Sequence, residues 1–252
     1  MTFPVYFTFG NLRAPAHAVM ETAGYVVGSG LFWFLRRKFP STRFASERGL
    51  IVIVACLFGA FWGSKILALI ENIHAYWPYR HDLAVMMGAK TIVGGLAGGW
   101  VGVEIAKWRL GIRQKTGDRF VFPVLIGLAI GRVGCFLTGL PDHTYGVATS
   151  LPWGVDFGDG IHRHPTQLYE SIFCLILAGA LWLRTRSPYQ NGEIFQLMVI
   201  AYLSWRFLVE FIKPRETYAG LSPIQLVSFV TVCAAVVTLR NLHVQRGQPA
   251  YG

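Results

Sequence analysis

The stretch GLIVIVACLFGAFWGSKILALI, from Gly49 to Ile70, decides the fold class of this chain. Its twenty-two residues contain a single charged side chain, Lys65. A helix needs about 20 consecutive apolar residues to cross the hydrocarbon core of a bilayer. This stretch therefore predicts a transmembrane helix.

Six further stretches have the same apolar character, so the sequence predicts seven spans. The predicted spans are about Ala16–Leu35, Gly49–Ile70, Ala84–Ala106, Val121–Gly139, Thr166–Leu183, Gly192–Ile212 and Leu221–Leu239. Hydrophobic residues make up 53% of the chain and charged residues only 14%, whereas a soluble domain holds about 25% charged residues. The mean hydropathy is +0.44. We expect an all-α integral membrane protein with one transmembrane domain, residues 1–252.

The basic residues indicate the orientation of the predicted spans. With the N-terminus outside, the cytoplasmic segments carry 14 of the 23 lysines and arginines: Arg36, Arg37, Lys38, Arg43, Arg48, Lys107, Arg109, Arg113, Lys115, Arg119, Arg184, Arg186, Arg240 and Arg246. The outer segments carry five: Arg13, Arg80, Arg163, Lys213 and Arg215. Positive charge concentrates on cytoplasmic loops, which predicts an outer N-terminus and a cytoplasmic C-terminus. The net charge of +10 then reflects topology, and the seven spans exclude a nucleic-acid-binding or soluble metal enzyme.

The first span is expected to be a retained helix, because it is followed by Arg36-Arg37-Lys38 and no small-residue cleavage site is evident. The four cysteines, Cys56, Cys135, Cys174 and Cys233, lie within spans at no metal-ligand spacing. We expect no disulfide framework, no metal and no organic cofactor.

Seven charged residues lie in the outer halves of the predicted spans: Glu21, Lys65, Lys90, Arg132, Glu170, Arg206 and Glu210. The inner halves hold only Glu104 and Glu193, each next to the cytoplasmic edge. Counted along each helix, all seven fall within about 12 Å of the outer membrane boundary. Charges in a membrane are costly and usually functional. Their common depth on six helices predicts one polar cavity in the outer-leaflet half, containing four cations and three carboxylates.

Such a cavity suits an anionic group, and the abundant anion in a membrane is a phospholipid head. A guanidinium binds phosphate through two parallel hydrogen bonds, so Arg132 and Arg206 are the stronger candidates. Lys65 and Lys90 either line the cavity or serve only to neutralise carboxylates and reach the interface. Arg206 and Glu210 also have the i,i+4 spacing of a simple ion pair.

Glycines cluster in the third and fourth predicted spans. The third contains GGLAGG, Gly94 to Gly99, followed by Gly102, and the fourth contains Gly127, Gly131 and Gly134. Small residues at four-residue spacing let helices approach closely. These glycines, with Gly131 and Gly134 among them, either serve this packing or leave bare backbone beside a bound lipid, and the two roles are compatible.

The segment Leu140–Pro165 is rich in Pro, Gly, Asp and aromatic residues, which predicts an ordered outer loop over the cavity mouth. It leads into HRHPTQLYE, His162 to Glu170, where Pro165 is expected in the first turn of a helix. Gln167 and Glu170 share one helix face at i,i+3 spacing. Tyr169 and Gln167 are further candidates for substrate binding at the cavity rim.

Four motifs in order along the chain resemble those of the prolipoprotein diacylglyceryl transferase family. They are GRVGCFLTG (Gly131–Gly139), RHPTQLYE (Arg163–Glu170), WRFLVEF (Trp205–Phe211) and LSPIQLVS (Leu221–Ser228). The resemblance implies an enzyme that opens to the outer leaflet. It would transfer the diacylglyceryl group of phosphatidylglycerol to the thiol of a lipobox cysteine in a preprolipoprotein, releasing glycerol phosphate. It also implies that Arg132 and Arg206 match the family's two essential arginines.

The chain departs from the family pattern at residues near these motifs. Val93 replaces a histidine that precedes the GGL match at Gly94–Leu96. Cys135, Thr138 and Leu140 stand where the family has Asn, Asn and Glu, and Glu21 replaces a tyrosine. The phosphate-handling arginines are therefore kept, while the groups that would handle the acceptor are changed.

Transfer to a thiol requires the thiolate, so a group must take the proton. Histidine is matched to this task near neutral pH. The candidates for this proton acceptor are His143, His164, Glu170 and Glu21. Lys90, which is expected one helical turn from Val93, could substitute electrostatically for the missing histidine. Cys135, beside Arg132, is either a low-pKa thiol or a small packing residue.

These residues predict a diacylglyceryl transferase of the bacterial cytoplasmic membrane. Its catalytic candidates are Arg132, Arg206, Glu170, His164 and His143. Its substrate-binding candidates are Lys65, Lys90, Gly131, Gly134, Cys135, Gln167, Tyr169, Glu210 and Glu21. The acceptor is a lipobox cysteine or a related group. The alternative is a non-enzymatic protein that binds or moves anionic phospholipid.

Overall fold

The structure is a computed structural model that describes residues 2–10, 12–35, 47–215, 217–218 and 220–247. Its helices are α1 (Ala16–Leu35), α2 (Glu47–Glu71), α3 (Ile73–Tyr76), α4 (Leu83–Gly88), α5 (Ile92–Leu110), α6 (Val121–Thr138), α7 (Thr166–Arg184), α8 (Glu193–Val209) and α9 (Pro223–Gly247). Four short strands form two hairpins: β1 (Tyr6–Phe9) with β2 (Leu12–Pro15), and β3 (Val155–Asp156) with β4 (His162–Arg163). The predicted all-α class is confirmed.

The chain divides into two compact units. The first comprises Met1–Pro40, Gly117–Met198 and Phe211–Pro214, and the second comprises Ser41–Thr116, Val199–Glu210 and Arg215–Gly252. Each unit has its own closely packed helix pair.

In the first unit, α1 packs antiparallel to α6 at a distance that only small residues allow. A Cβ added at Gly24 would lie 2.9 Å from the carbonyl oxygen of Gly127, and one at Gly134 would lie 2.9 Å from Cβ of Met20. Real Cβ atoms do not approach so closely, and small interface residues are the usual device for close packing in membranes. The start of α1 therefore lies against the end of α6.

Helix α7 packs against α6 through both apolar and buried polar contacts. The hydroxyl of Ser171 donates to the carbonyl oxygen of Ala129 at 2.8 Å. Pro165 immediately precedes α7 as its cap residue, so the predicted first-turn position is off by one. The adjoining loop contains the turn Leu140–Asp142 and the β3–β4 hairpin, in agreement with an ordered loop.

In the second unit, α2 and α5 pack through a run of glycines. A Cβ at Gly98 would overlap the carbonyl oxygen of Gly59, and one at Gly94 would overlap that of Gly63. The glycines of the third predicted span therefore serve helix packing, which is one of the two roles expected for them.

The predicted third span, Ala84–Ala106, is not one continuous helix. Helix α4 ends at Gly88, Ala89 adopts an extended conformation, and α5 begins after Thr91. The Thr91 hydroxyl accepts a hydrogen bond from the Gly94 amide at 3.1 Å, and the Thr91 amide donates to the Ser64 hydroxyl at 2.9 Å. Because a capped helix start satisfies its free amides, the chain can break here without leaving buried polar groups unpaired.

Six helical stretches of the described residues are long and apolar enough to cross a membrane: Ala16–Leu35, Glu47–Glu71, Gly117–Thr138, Thr166–Arg184, Glu193–Ile212 and Pro223–Val244. They expose large apolar side chains, including Phe34, Phe58, Ile176 and Val230. Exposed apolar surface on this scale marks a lipid-facing protein. The chain is an integral membrane protein, and a seventh crossing is not among these six.

Part of the charge pattern behind the predicted orientation falls on residues that the structure does not describe. Arg36, Arg37, Lys38 and Arg43 lie outside the described residues, as does the side chain of Arg246. The orientation remains a prediction.

The α2–α5 contact predicts a sharp difference between two neighbouring glycines. Gly98→Ala is expected to destabilise the protein by at least ~1–3 kcal/mol, because the new methyl group meets backbone that cannot rotate away. Thermal unfolding of the purified protein in detergent measures the effect. Gly95→Ala is the control, since its Cβ would lie 3.8 Å from its nearest neighbours. Equal unfolding temperatures for the two variants would contradict the packing.

Candidate functional site

Arg132, near the end of α6, forms a buried ion pair with Glu170 on α7. The Arg132 Nε lies 3.0 Å from Glu170 Oε2, and the two side chains are 7% and 1% exposed. Burying two charges costs desolvation free energy that their attraction barely offsets, so a buried ion pair adds little net stability. Removing one partner is nevertheless strongly destabilising, because the other charge is left buried and uncompensated. The sequence placed both residues in the site, but it did not predict that they pair.

Gln167, one turn before Glu170 on α7, is also buried. Its side chain is 1% exposed, and among the described residues neither its amide oxygen nor its amide nitrogen has a hydrogen-bond partner. Buried amides are normally hydrogen-bonded. An unsatisfied amide on the same face as Glu170 is what a site for a polar ligand would provide.

A second group of polar side chains lies where α1 begins and α6 ends. His17 Nε2 is 3.4 Å from Glu21 Oε2, and His17 Nδ1 is 3.8 Å from Asp142 Oδ1. Cys135 belongs to the same group, and one ligand atom each from His17, Cys135 and Asp142 all lie within 4.8 Å of one another. These three side chains are the group in the described part of the chain that could hold a metal ion.

This group is joined to the Arg132–Glu170 pair. The Arg132 guanidinium approaches the Cys135 sulfur at 3.8 Å, one turn along the same helix. Cys135 is half-buried and unoxidised. Glu21, predicted for the cavity, accepts a hydrogen bond from Tyr25 at 3.1 Å and faces His17.

In the second unit, Arg206 belongs to a network of four charged side chains. Its Nη2 lies 3.0 Å from Glu210 Oε2, which confirms that the two residues pair. Arg215 Nε lies 3.1 Å from Glu210 Oε1 and 3.8 Å from Glu71 Oε1. Glu71 is 1% exposed and also accepts the Ile224 amide at 3.1 Å. The sequence missed Glu71 and Arg215, since both were assigned to the ends or outside of spans.

The two lysines predicted for the cavity lie beside the break between α4 and α5. Lys65 donates a short hydrogen bond to the Met87 carbonyl oxygen and lies 5.6 Å from the Phe61 ring. It therefore stabilises the end of α4, where carbonyl groups lack helical partners. Lys90 is exposed within the break, and Val93 is buried in the first turn of α5.

The histidines predicted as bases occupy the loop before α7. His164 Nδ1 lies 3.3 Å from the Tyr169 hydroxyl, which also accepts a hydrogen bond from Trp153 Nε1 at 2.8 Å. Tyr169 thus fastens the loop to α7. His143 is exposed, with a left-handed φ of 53°, and its ring centroid lies 6.5 Å from that of Tyr145.

The β3–β4 hairpin is closed by two aspartates. Backbone amides of Gly158, Asp159 and Gly160 donate to Asp156 Oδ1 at 2.8, 3.1 and 3.0 Å, and these bonds lower the Asp156 pKa. The Arg163 guanidinium donates one hydrogen bond to each carboxylate oxygen of Asp159 at 2.7 Å, and these bonds lower the Asp159 pKa. Both carboxylates therefore stabilise the turn at neutral pH and cease to do so as the pH falls through their lowered pKa values.

The two glycines predicted for the site differ. A Cβ at Gly131 would meet nothing within 4 Å, whereas Gly134 is packed against His17 and Met20. Gly134 is therefore a helix-packing residue that brings His17 close to Cys135.

His17 and Asp142 are two further candidate residues that the sequence analysis missed. The H-x-x-x-E spacing of His17 and Glu21, at the start of a span, was the available signal, because it places both on one helix face. His17, Cys135 and Asp142 lie on three separate elements of the fold. Rules based on the spacing of ligands along the sequence do not detect such a group.

The fold and the site define a membrane protein with several spans and buried arginine–carboxylate pairs. The family model for prolipoprotein diacylglyceryl transferase matches residues 4–240. The chain therefore belongs to the prolipoprotein diacylglyceryl transferase family, as its motifs predicted.

Curated relatives cover most of this chain and most of their own length. A protein of Nitratidesulfovibrio vulgaris strain Hildenborough is 32% identical over 234 residues, covering 86% of this chain and 83% of that protein. One from Clostridium tetani is 29% identical, covering 92% and 95%, and one from Geobacter sulfurreducens is 31% identical, covering 86% and 85%. All three are named phosphatidylglycerol–prolipoprotein diacylglyceryl transferase.

The Asp156 turn gives a prediction for the loop. Asp156→Ala removes the acceptor of three amide hydrogen bonds, so amide hydrogen exchange in residues 155–163 is expected to accelerate about tenfold or more. Mass spectrometry of peptides from this loop measures the rate. Asp156→Asn keeps an acceptor oxygen and should change the rate less. An unchanged rate in the alanine variant would show that the turn is held by other contacts.

Proposed function

We propose that this protein transfers the diacylglyceryl group of phosphatidylglycerol to the cysteine thiol of a preprolipoprotein. The observation that carries the proposal is the family match over residues 4–240. It is supported by the burial of Arg132, which the motif resemblance assigns to an essential arginine of the family. The names of the relatives supply the lipid donor and the protein acceptor. The protein is accordingly proposed to work in a bacterial cytoplasmic membrane.

In this reaction the thiolate sulfur attacks the carbon of the diacylglyceryl group that is bonded to the phosphate oxygen. A carbon–sulfur bond forms, the carbon–oxygen bond breaks, and the electron pair leaves on the oxygen of glycerol phosphate. Negative charge grows on this oxygen in the transition state. A guanidinium positioned beforehand to receive that charge accelerates the reaction, and removing one such donor typically costs about 10²–10³ in rate.

Arg132 and Arg206 are the groups that we propose for this role. Each is almost fully buried and each is oriented by a carboxylate, Glu170 for Arg132 and Glu210 for Arg206. Low dielectric surroundings strengthen their attraction to phosphate. The carboxylates keep the sites near neutrality before the lipid binds. We assign Gln167 to the polar head of the lipid, since its buried amide is unsatisfied in the described structure.

We also propose that the chain crosses the membrane seven times, with its N-terminus outside and its C-terminus in the cytoplasm. Helix α5, Ile92–Leu110, would be the additional crossing, since its nineteen residues carry charged side chains only near the end, at Glu104, Lys107 and Arg109. Those charges would then lie at the cytoplasmic face. Of the charges predicted for a polar cavity in the outer-leaflet half, Arg132 and Glu170 are buried in the first unit and Arg206 and Glu210 in the second. The loop 140–165 would lie over the mouth of that cavity.

Reporter fusions test this topology. Alkaline phosphatase fused after His81 is expected to be active, and the same enzyme fused after Lys115 is expected to be inactive, because the two positions would lie on opposite sides of the membrane. A fusion after Gly252 should also be inactive. Activity at both His81 and Lys115 would show that α5 does not cross.

The transferase activity is tested with the purified full chain in liposomes that contain phosphatidylglycerol. Glycerol phosphate release in the presence of a lipobox cysteine peptide is expected, and Arg132→Ala and Arg206→Ala are each expected to lower its rate at least ~100-fold. The matched control is Arg184→Ala, which breaks another arginine–glutamate pair, with Glu193, at the predicted cytoplasmic end of its helices.

Three outcomes separate the functions. Peptide-dependent release that Arg184→Ala retains supports the transferase. Release without peptide would indicate a different acceptor or water. Lipid binding without any release would favour the lipid-binding alternative.

A further inference from the structure

The His17–Cys135–Asp142 group has the composition and the geometry of a three-ligand metal centre. It combines an imidazole nitrogen, a thiol sulfur and a carboxylate oxygen, which are the three ligand types of zinc in proteins. Their ligand atoms lie within 4.8 Å of one another, and His17 Nδ1 is 3.8 Å from Asp142 Oδ1. Zinc bonds of about 2.0–2.3 Å in tetrahedral geometry separate such atoms by about 3.3–3.6 Å. Side-chain movements of about 1 Å would therefore bring the three ligand atoms to the spacing that zinc requires.

The His17 ring is arranged for coordination through Nδ1. This atom is buried and has no hydrogen-bond partner among the described residues, although it lies 3.8 Å from Asp142 Oδ1. The other ring nitrogen, Nε2, faces the Glu21 carboxylate at 3.4 Å. A metal-binding histidine usually gives its second N–H to a carboxylate, which fixes the ring and makes the ligand more basic.

The other two ligands have outer partners as well. The Thr144 hydroxyl donates a short hydrogen bond to Asp142 Oδ2, which leaves Oδ1 on the side of His17. The Arg132 guanidinium donates to the Cys135 sulfur at 3.8 Å. All three ligands are thus held from outside by a second group. Structural hydrogen bonding alone does not explain the buried, unsatisfied nitrogen at the centre.

We propose that His17, Cys135 and Asp142 bind a zinc ion whose fourth position accepts the thiol of the acceptor cysteine. Three protein ligands with one open position are the arrangement of catalytic zinc sites, and a thiol that coordinates such an ion loses its proton. This catalytic part rests on the proposed transferase function, whereas the binding of zinc does not.

The centre supplies the step for which the chain has lost its family histidine, at Val93. A zinc ion held by His17, Cys135 and Asp142 would bind the acceptor thiol at its open position and favour its thiolate, with the proton passing to water. The thiolate sulfur would then attack the glycerol carbon, forming the carbon–sulfur bond as the carbon–oxygen bond breaks, and glycerol phosphate would depart with the electron pair.

The first experiment measures metal binding without any activity assay. The purified full chain, stripped with a chelator and dialysed against zinc, is expected to retain about one zinc per chain. Cobalt substitution should give the intense absorption of a cobalt–thiolate bond. Cys135→Ser is expected to abolish that band, and Asp142→Asn and His17→Ala should each weaken zinc binding by at least ~100-fold. Glu21→Gln should weaken it by about tenfold.

Cys233→Ser is the matched control, because Cys233 is an exposed cysteine on α9 outside the group. It should keep full zinc content and the cobalt band. Unfolding temperatures of the stripped proteins show whether each variant is folded. Less than a tenth of a zinc per wild-type chain, or equal zinc in the wild type and in folded Cys135→Ser, would overturn the proposal.

The second experiment separates this inference from the transferase proposal. In the liposome assay, removal of zinc should abolish peptide-dependent release, and zinc should restore it. Full activity in zinc-free protein would overturn the activating role. Stoichiometric zinc bound through Cys135 without transfer under any condition would support the metal centre while rejecting the transferase function.

Discussion

The close approach of α1 to α6 is the constraint on which the first unit depends. Gly134 packs against the backbone of His17 and Cβ of Met20, and Gly24 packs against the backbone of Gly127. A side chain at either glycine would collide with these atoms. The two helices therefore approach each other backbone to backbone at Gly24 and Gly127. Because α1 runs antiparallel to α6, the first turn of one helix is fixed beside the last turn of the other. The approach of His17 to Asp142 and Cys135 follows from that geometry.

The fold also buries several charged side chains, which costs desolvation free energy. Arg132, Glu170, Arg206 and Glu210 are each less than about a tenth exposed. Replacing a buried ion pair with apolar residues is often neutral or stabilising, so the pairs themselves do not account for these residues. Their value lies in orientation, because each guanidinium is held by a carboxylate before any ligand arrives. Preorganised charge of this kind is what phosphate chemistry requires.

The sequence predicted most of the helices because lipid imposes a length and a composition that can be counted. It also identified Arg132 and Arg206, since charge inside an apolar run is conspicuous. It did not predict the break at Ala89–Thr91, because that break depends on a hydrogen bond to Ser64 on another helix. Nor did it predict the pairing of Arg132 with Glu170. Cys135 was weighed only as a lone thiol, since its neighbours come from distant parts of the chain.

Gly134 has a consequence for how this protein can change in evolution. His17 reaches Cys135 only while residue 134 lacks a side chain, and each polar residue of that cluster leaves a neighbour unsatisfied if it changes alone. Substitutions among residues in contact are not additive. The cluster is therefore an epistatic unit. Because the side chains of His17, Cys135 and Asp142 lie close together, the effect of a substitution at position 135 depends on which residues stand at the other two positions.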